Sequence, residues 1–316
     1  MARFKKFLST ALCLLPLLLI GCGRDLQIKE TGRKKILCTI AQIGHLASEI
    51  GGDRVQVQVL VRGELNPHSY ELVKGDDEKI QTADLLLYNG LGLEHGASLA
   101  ALGKVHPKGF AVGESIEKLD SEKILWVDGT KDPHIWMDVS LWAEGIDPIA
   151  NQMVAIDPEG KDYYLNRAHE LKEKMAILDK EIFELIQSVP SEKRYLVTSH
   201  DAFHYFTRRY LKDNGEVDWE KRFKAPEGLA PDGQLNPLDI QKVIDHLALY
   251  KIRVVFPESN VSRDSIRKIT DAGKKMGLEI HISSEVLYGD SLKGTYIEAM
   301  LHNANAIVRS LEMNNG

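Results

Sequence analysis

The period of the apolar positions changes several times along the chain, and each change marks an element. Ile36–Ile40 is a short continuous apolar run, and Val55, Val57, Val59 and Val61 alternate with polar residues. Both predict strands, with a helix to about Ile50 between them and Gly51-Gly52-Asp53 as its stop. The loop Arg62–Tyr70, a helix around Asp76–Thr82 and a strand Asp84–Tyr88 ending in Asn89-Gly90 continue the alternation of strand and helix typical of α/β folds.

A different period begins at Asp157-Pro158-Glu159, which reads as an N-cap, a proline at the first helical position and an acid in the first turn. Tyr164, Ala168, Leu171, Met175, Leu178, Ile182 and Leu185 then step by 4, 3, 4, 3, 4, 3, with no Gly or Pro between Gly160 and Pro190. One helix of about 30 residues, roughly 45 Å long, is expected. A dimeric coiled-coil seam is the other reading of this spacing. Three to four heptads flanked by α/β segments make a short coil, so a spine packed on both halves of the protein is preferred.

After Pro190 the α/β rhythm returns. Tyr195–Thr198, Ile252–Phe256 and Glu279–Ile282 read as strands; Pro237–Tyr250, Ser262–Met276 and Thr295–Leu311 read as helices. Residues 211–236, rich in charge, Gly and Pro, are expected to be a long irregular excursion. The fold class is therefore α/β: two α/β lobes, 36–157 and 190–316, linked by one long rigid helix, 158–189. No residue-by-residue repeat relates the two.

The N-terminus changes the picture of where this fold works. Arg3, Lys5 and Lys6 precede the mostly apolar Phe7–Ile20, which is too short to span a bilayer and reads as an export signal over residues 1–21. The ending Gly21-Cys22 looks like a bacterial lipoprotein cleavage box, which makes Cys22 the expected lipidation site; ordinary cleavage or an uncleaved anchor are the alternatives. Residues 22–35 read as a tether. Without residues 1–21, three positive charges are lost and the formal net charge moves from −6 to −9 (−6 − 3). Such a surface disfavours nucleic acid and membrane phosphates and mildly favours cations. Of three cysteines, Cys13 leaves with the signal and Cys22 is the expected lipid site, so Cys38 alone remains, a strand thiol with no partner for an internal disulfide.

Candidate chemistry centres on three histidines at the ends of apolar runs: Asn66-Pro67-His68, Asp132-Pro133-His134 and Ser199-His200-Asp201. Imidazoles separated by 66 residues each time (134 − 68, 200 − 134), with Gly289-Asp290 a further 90 on, are what a four-ligand transition-metal site draws from distant parts of a chain. In the two X-Pro-His turns, proline stiffens the backbone and fixes the direction in which the ring emerges. His68, His200, Glu258 and Asp290 all follow expected strands, the edge at which open α/β sheets bind ligands. Asp138 either orients His134 or caps the helix that follows. Trp126, Trp136 and Trp142 read as core or cleft wall, and histidines 45, 95, 106, 169, 246, 281 and 302 as structural.

Six motifs in order resemble the metal-binding solute receptors of ABC importers, the TroA/ZnuA/PsaA-type family, over nearly all of the mature chain. They are Gly51-Gly52-Asp53-Arg54-Val55, Asn66-Pro67-His68-Ser69-Tyr70-Glu71, Asn89-Gly90-Leu91-Gly92-Leu93-Glu94, Asp132-Pro133-His134-Ile135-Trp136-Met137-Asp138, Thr198-Ser199-His200-Asp201-Ala202-Phe203 and Gly294-Thr295-Tyr296. Gly92-Leu93-Glu94-His95, Thr207-Arg208-Arg209-Tyr210-Leu211 and Pro226-Glu227-Gly228-Leu229 look closest to the chlamydial, YtgA-type members. The resemblance implies metal ligands at His68, His134, His200 and Asp290, a glutamate near the site at Glu258, and a metal held in the cleft between the lobes. It also implies a cargo of manganese, zinc or iron, a membrane permease, a separate ATPase subunit and a location in the periplasm or on the outer face of the cytoplasmic membrane. The absence of a GxxxxGK[ST] phosphate loop from the sequence agrees with a separate ATPase. Zinc receptors of the family often carry a histidine-rich insertion before the second ligand motif; Gly113–Lys131 contains no histidine. A monomer is expected, with small lobe movements about a stiff spine and the glycine-flanked Asp290 loop gating the metal. The rival reading is a zinc-dependent hydrolase using His200-x-x-x-His204, with His204 otherwise a surface or interlobe residue.

Overall fold

The computed structural model describes residues 32–99, 101, 106–231 and 235–313; the expected signal peptide, Cys22 and most of the tether lie outside them. Strand β1 (Lys34–Cys38) is central, and Ile36, Leu37 and Cys38 are all buried. That is why it reads as an unbroken apolar run: a parallel strand covered on both faces has no polar side. At the sheet edge, β2 (Val55–Val59) keeps the alternation, with Val55 buried and Gln56 exposed. Between them α1 (Ala41–Gly51) buries Ile43, Leu46, Ala47 and Ile50, one face of a helix, and stops where Gly52 takes a φ of 48°. Helix α2 (Asp76–Thr82) leads to β3 (Leu85–Tyr88), and β4 (Gly109–Ala111) completes a parallel sheet in the order β2-β1-β3-β4.

Helix α3 (Val112–Leu119), the antiparallel pair β5 (Trp126–Val127) and β6 (Thr130–Lys131), and helices α4 (Val139–Ala143) and α5 (Ile146–Ile156) lead to the spine. A turn at Pro158–Gly160 opens α6 (Lys161–Gln187), 27 residues. Asp157 does not cap this helix: its carboxylate takes Arg54 and the Tyr164 hydroxyl (2.6 Å) instead. The buried stripe runs Tyr164, Ala168, Leu171, Met175, Leu178 and Ile182, then ends on Ile186 while Leu185 is half-buried. The shift from 185 to 186 is the drift of a straight 3.6-residue helix away from a 3.5-residue seam. Helix α6 packs on α1, α4 and α5 on one side of the chain and on the C-terminal helix on the other, so it is a spine and not a coil.

The second half repeats the topology of the first with shorter strands. β7 (Leu196–Val197) pairs in parallel with β8 (Phe223–Lys224), and β9 (Val254–Val255) with β10 (His281–Ile282). Phe256 N donates to Val197 O at 2.8 Å, which sets the pair β9–β10 beside the pair β7–β8, so that the two two-stranded sheets lie in the order β8-β7-β9-β10. Helices α7 (Pro237–Leu249) and α8 (Asp264–Lys275) flank this sheet, and α9 (Tyr296–Met313) returns to the spine. The expected irregular excursion is therefore incorrect in one respect: Phe223-Lys224 inside it is a strand, hidden because two residues carry no period.

Candidate metal centre

Each of the four singled-out side chains is set by local chemistry. In the loop after β2, His68 N donates to Asn66 Oδ1 (2.9 Å), and Asn66 Nδ2 donates to Pro231 O (3.1 Å) in the second half. After β6 the same turn recurs: His134 N donates to Asp132 Oδ1 (2.9 Å). Here the residue is an acid, and the same oxygen also holds His134 Nδ1 at 2.7 Å. His200 follows β7 directly. Its backbone N and that of Ser199 donate to Glu258 Oε1 (2.8 and 2.9 Å), while its Nδ1 lies 2.8 Å from Glu258 Oε2. Asp290, beyond β10, accepts from Asn260 Nδ2 at 3.0 Å. Its loop is tied across to the first half: Gln42 Nε2 donates to Asp290 O and Trp136 Nε1 to Gly289 O, each at 2.9 Å. A Cβ at Gly289 would run into the Glu258 carboxylate, so only glycine lets this loop approach.

These placements bring Nε2 of His68, His134 and His200 and the carboxylate of Asp290 together. One donor atom from each lies within 4.8 Å of every other. His68 Nε2 to His134 Nε2 is 3.2 Å; Asp290 stands 3.6, 3.3 and 3.3 Å from His68, His134 and His200. A tetrahedral ion with ligands at about 2.1 Å needs edges of about 3.4 Å between them. All four side chains are buried, and His200 Nε2 and Asp290 Oδ1 have no hydrogen bond. Buried donors whose four given separations lie near the tetrahedral edge, with every pair within 4.8 Å, fit a dication with nitrogen and oxygen ligands.

The electrostatics follow the carboxylates. Burial opposes a charged imidazole at all three histidines. At His134, Asp132 and Asp290 overcome it and raise the ring to about 9. Glu258 and Asp290 likewise lift His200 well above its usual value. At His68 burial prevails over Asp290 and the ring falls to about 4. Burial also works against Asp290, yet the surrounding imidazoles hold it well below the ordinary carboxylate range.

Two open alternatives are resolved. Asp138 does not reach His134: its Oδ1 accepts from Leu141 N (3.1 Å) and Ser140 Oγ (2.6 Å), the capping alternative. The residue on His134 is Asp132, which the sequence reading treated only as part of a turn. Its signal was the Asp in Asp-Pro-His, since a carboxylate two residues back reaches both N and Nδ1. His204 is not a surface residue. It is half-buried and packs on Phe223 (ring centroids 4.7 Å), with Nδ1 3.5 Å from Asp132 Oδ2, and so takes the interlobe alternative. His200 sits in an isolated bridge with Glu227 and helix begins only at His204, so the two do not share a helical face as a zinc-protease pair would.

The profile of the zinc-uptake complex component A, periplasmic (ZnuA), matches residues 36–310. The metal-binding protein YtgA of Chlamydia trachomatis is 33% identical over 98% of this chain and 96% of its own length. The manganese-binding lipoprotein MntA of Bacillus subtilis is 34% identical over 93% and 95%. Among solved structures, Fe(III)-bound YtgA from Chlamydia trachomatis superposes with a TM-score of 0.84 at 34% identity, covering 88% of this chain and 98% of that one. The periplasmic zinc-binding protein TroA from Treponema pallidum gives 0.80 at 27% identity, covering 89% and 99%.

Proposed function

The chain belongs to the ZnuA family, and on that premise we propose that His68, His134, His200 and Asp290 hold one transition-metal dication as cargo. The protein is the solute-binding component of an ABC importer. It captures the ion outside the cytoplasm and delivers it to a membrane permease driven by a separate ATPase. Manganese, zinc and iron, named for its relatives, are the candidate cargoes. It is a receptor and not an enzyme; the hydrolase reading loses its His200–His204 pair. The observation that carries the ligand assignment is the set of donor separations between 3.2 and 3.6 Å.

Three neutral imidazoles and Asp290 leave a bound dication with one net positive charge. Asp132 and Glu258, against the outer nitrogens of His134 and His200, supply two negative charges beside it and fix which nitrogen faces the ion. Such a site ranks zinc above manganese and ferrous iron in intrinsic affinity, so selection among them rests on supply, geometry or release. Release is assigned to the Asp290 loop, whose ties to Gln42 and Trp136 must break for the halves to part. Lipidation at Cys22 completes the proposal, supported by Gly21-Cys22 after an apolar stretch and by lipoprotein relatives.

Metal analysis of the protein isolated from its native host, with competition among manganese, ferrous iron and zinc, tests this reading. His68→Ala, His134→Ala and Asp290→Ala should each weaken binding by more than about a hundredfold, beyond what loss of a supporting residue costs. Unchanged affinity and stoichiometry in all three would refute the ligand assignment.

A further inference from the structure

A buried four-ligand centre poses a problem of access. His134, His200 and the Asp290 side chain are fully covered, and His68 at 2% is the one member with any exposure. A hydrated dication cannot shed its water into a closed pocket without ligands that replace that water on the way. In the closed form the exposed edge of the centre lies at His68, and what borders that edge decides how an ion arriving there is received.

His95 borders it. Its ring is exposed, and its centroid lies 5.5 Å from that of His68. The pairs inside the centre are spaced alike: His68–His134 at 5.2 Å, His134–His200 at 5.4 Å and His68–His200 at 6.3 Å. The His95 ring thus lies within the spacing of the site's own rings from His68, one step nearer the solvent.

Its position is built rather than incidental. Gly90, Leu91 and Gly92 all take positive φ (74°, 53° and 86°), a tight loop that the neighbouring Glu94 pins from inside. Glu94 Oε1 accepts from Asn89 N (2.8 Å) and Thr39 Oγ1 (2.7 Å), and Oε2 from Gly90 N (3.0 Å). Gly96 N donates to the carbonyl of His68 itself (3.1 Å), fixing the two histidines relative to each other. The tautomer is fixed as well. His95 Nδ1 lies 3.1 Å from Gly92 O, and a carbonyl only accepts, so Nδ1 carries the hydrogen and the Nε2 lone pair of the neutral ring is free. A free imidazole lone pair on an exposed ring is a ligand for zinc, manganese or ferrous iron.

We propose that His95 is a capture ligand, which takes the incoming hydrated dication on Nε2 at the surface and hands it to His68. The inference rests on the receptor reading above. It predicts a kinetic role: a residue that ligates only along the path speeds both arrival and departure and leaves the end states alone.

The test is stopped-flow mixing of the metal-free full chain with zinc or manganese chloride, followed through Trp136, whose ring lies 5.3 Å from that of His134. Release is followed after a chelator chase. His95→Gln and His95→Phe should slow association by about tenfold, the lower end of the cost of losing one metal-supporting group. Release should slow by the same factor, so that the ratio of the two rates stays near that of the wild type. His169→Ala, an exposed histidine on the spine, serves as the control and should change neither rate. Equal rates in wild type and both His95 variants would overturn the inference. So would faster release at unchanged association, the mark of a permanent fifth ligand. Absence of metal binding by the wild-type chain would instead overturn the receptor reading itself, so the two failures are distinguishable.

Discussion

The two halves share one strand order, 2-1-3-4, but are held together by different means. In the first, β1 runs beside β2 over five residue pairs and beside β3 over three, and the sheet is closed by ladders and apolar packing. In the second the ladders are two residues long, and the sheet is extended by single bridges, His200 with Glu227 and Glu258 with Leu287. What ladders do not supply there, ions do. Arg194 and Arg222 are buried beside β7 and β8, where they engage Asp213 and Glu216, and Arg222 also reaches Ser191 O at 2.7 Å. The lesson is that one topology can be secured by apolar pairing or by buried charge, and that the second kind depends on each partner staying in place.

The largest effect should come from that difference. Arg222→Leu removes the buried partner of Glu216 but leaves it Lys221 and the Asp213 amide, and leaves Asp213, itself 43% exposed, with Arg194; the cost should therefore fall near the low end of the about 3–5 kcal/mol for losing one partner of a buried ion pair. Denaturant unfolding should register the loss, and amide exchange should place it at β7 and β8 while β1 keeps its protection. Acid should act on the same place. Burial alone would raise Glu216, but Arg222, the Asp213 backbone N–H and Lys221 outweigh it and bring the group down to about 2. Because the folded value lies below the ordinary one of about 4.5, its stabilisation is present above that pH and fades as pH falls towards 2. Equal loss of protection in β1 and β7, with either perturbation, would break the comparison.

A second, smaller contrast lies in how the two carboxylate-backed imidazoles are held. Asp132 grips His134 from two residues away in one turn, whereas Glu258 reaches His200 from another strand and also pins the Ser199 and His200 amides. Asp132→Asn and Glu258→Gln should each weaken metal binding by about 10–100-fold. Glu258→Gln should lower the unfolding midpoint more than Asp132→Asn, because that carboxylate joins β7 to β9 whereas Asp132 reaches the second half only through His204 at 3.5 Å. If both lowered it alike in calorimetry, the division between a local and a long-range support would fail.

The same contrast explains what the sequence disclosed. β1 and β3 were legible as short apolar runs and β2, α1 and the spine because each carries a period over five or more residues; the four site residues were legible because Pro-His turns and strand-end histidines and acids stand out. The strand Phe223-Lys224 was not, since pairing with β7 is decided by partners 27 residues away and no two-residue segment carries a pattern. Asp157 looked like a cap and serves Arg54 and Tyr164 instead, because tertiary partners outcompeted the local backbone. Histidine identity was visible, and the resemblance placed Glu258 near the site; that Asp132 stands behind His134 was not visible, because Asp-Pro-His reads only as a turn.

Asp138 gives the smallest and sharpest version of the comparison, because spacing alone left it two roles. Its Oδ1 accepts from Leu141 N and Ser140 Oγ at the start of α4, while Nδ1 of His134 is already held by Asp132. Removing a cap acceptor costs about 1 kcal/mol, and serine at the same position replaces most of it. Asp138→Ala should therefore lower stability by about that amount in denaturant unfolding, with Asp138→Ser close to wild type. Metal affinity, measured by competition with a chromophoric chelator, should move by no more than about twofold in either, far below the cost of losing a residue that orients a ligand. A tenfold loss in Asp138→Ala that Asp138→Ser did not restore would mean that the helix α4 and the ligand turn are coupled through charge. His134 would then depend on a second carboxylate, and the turn that now looks self-sufficient would resemble the long-range support of His200.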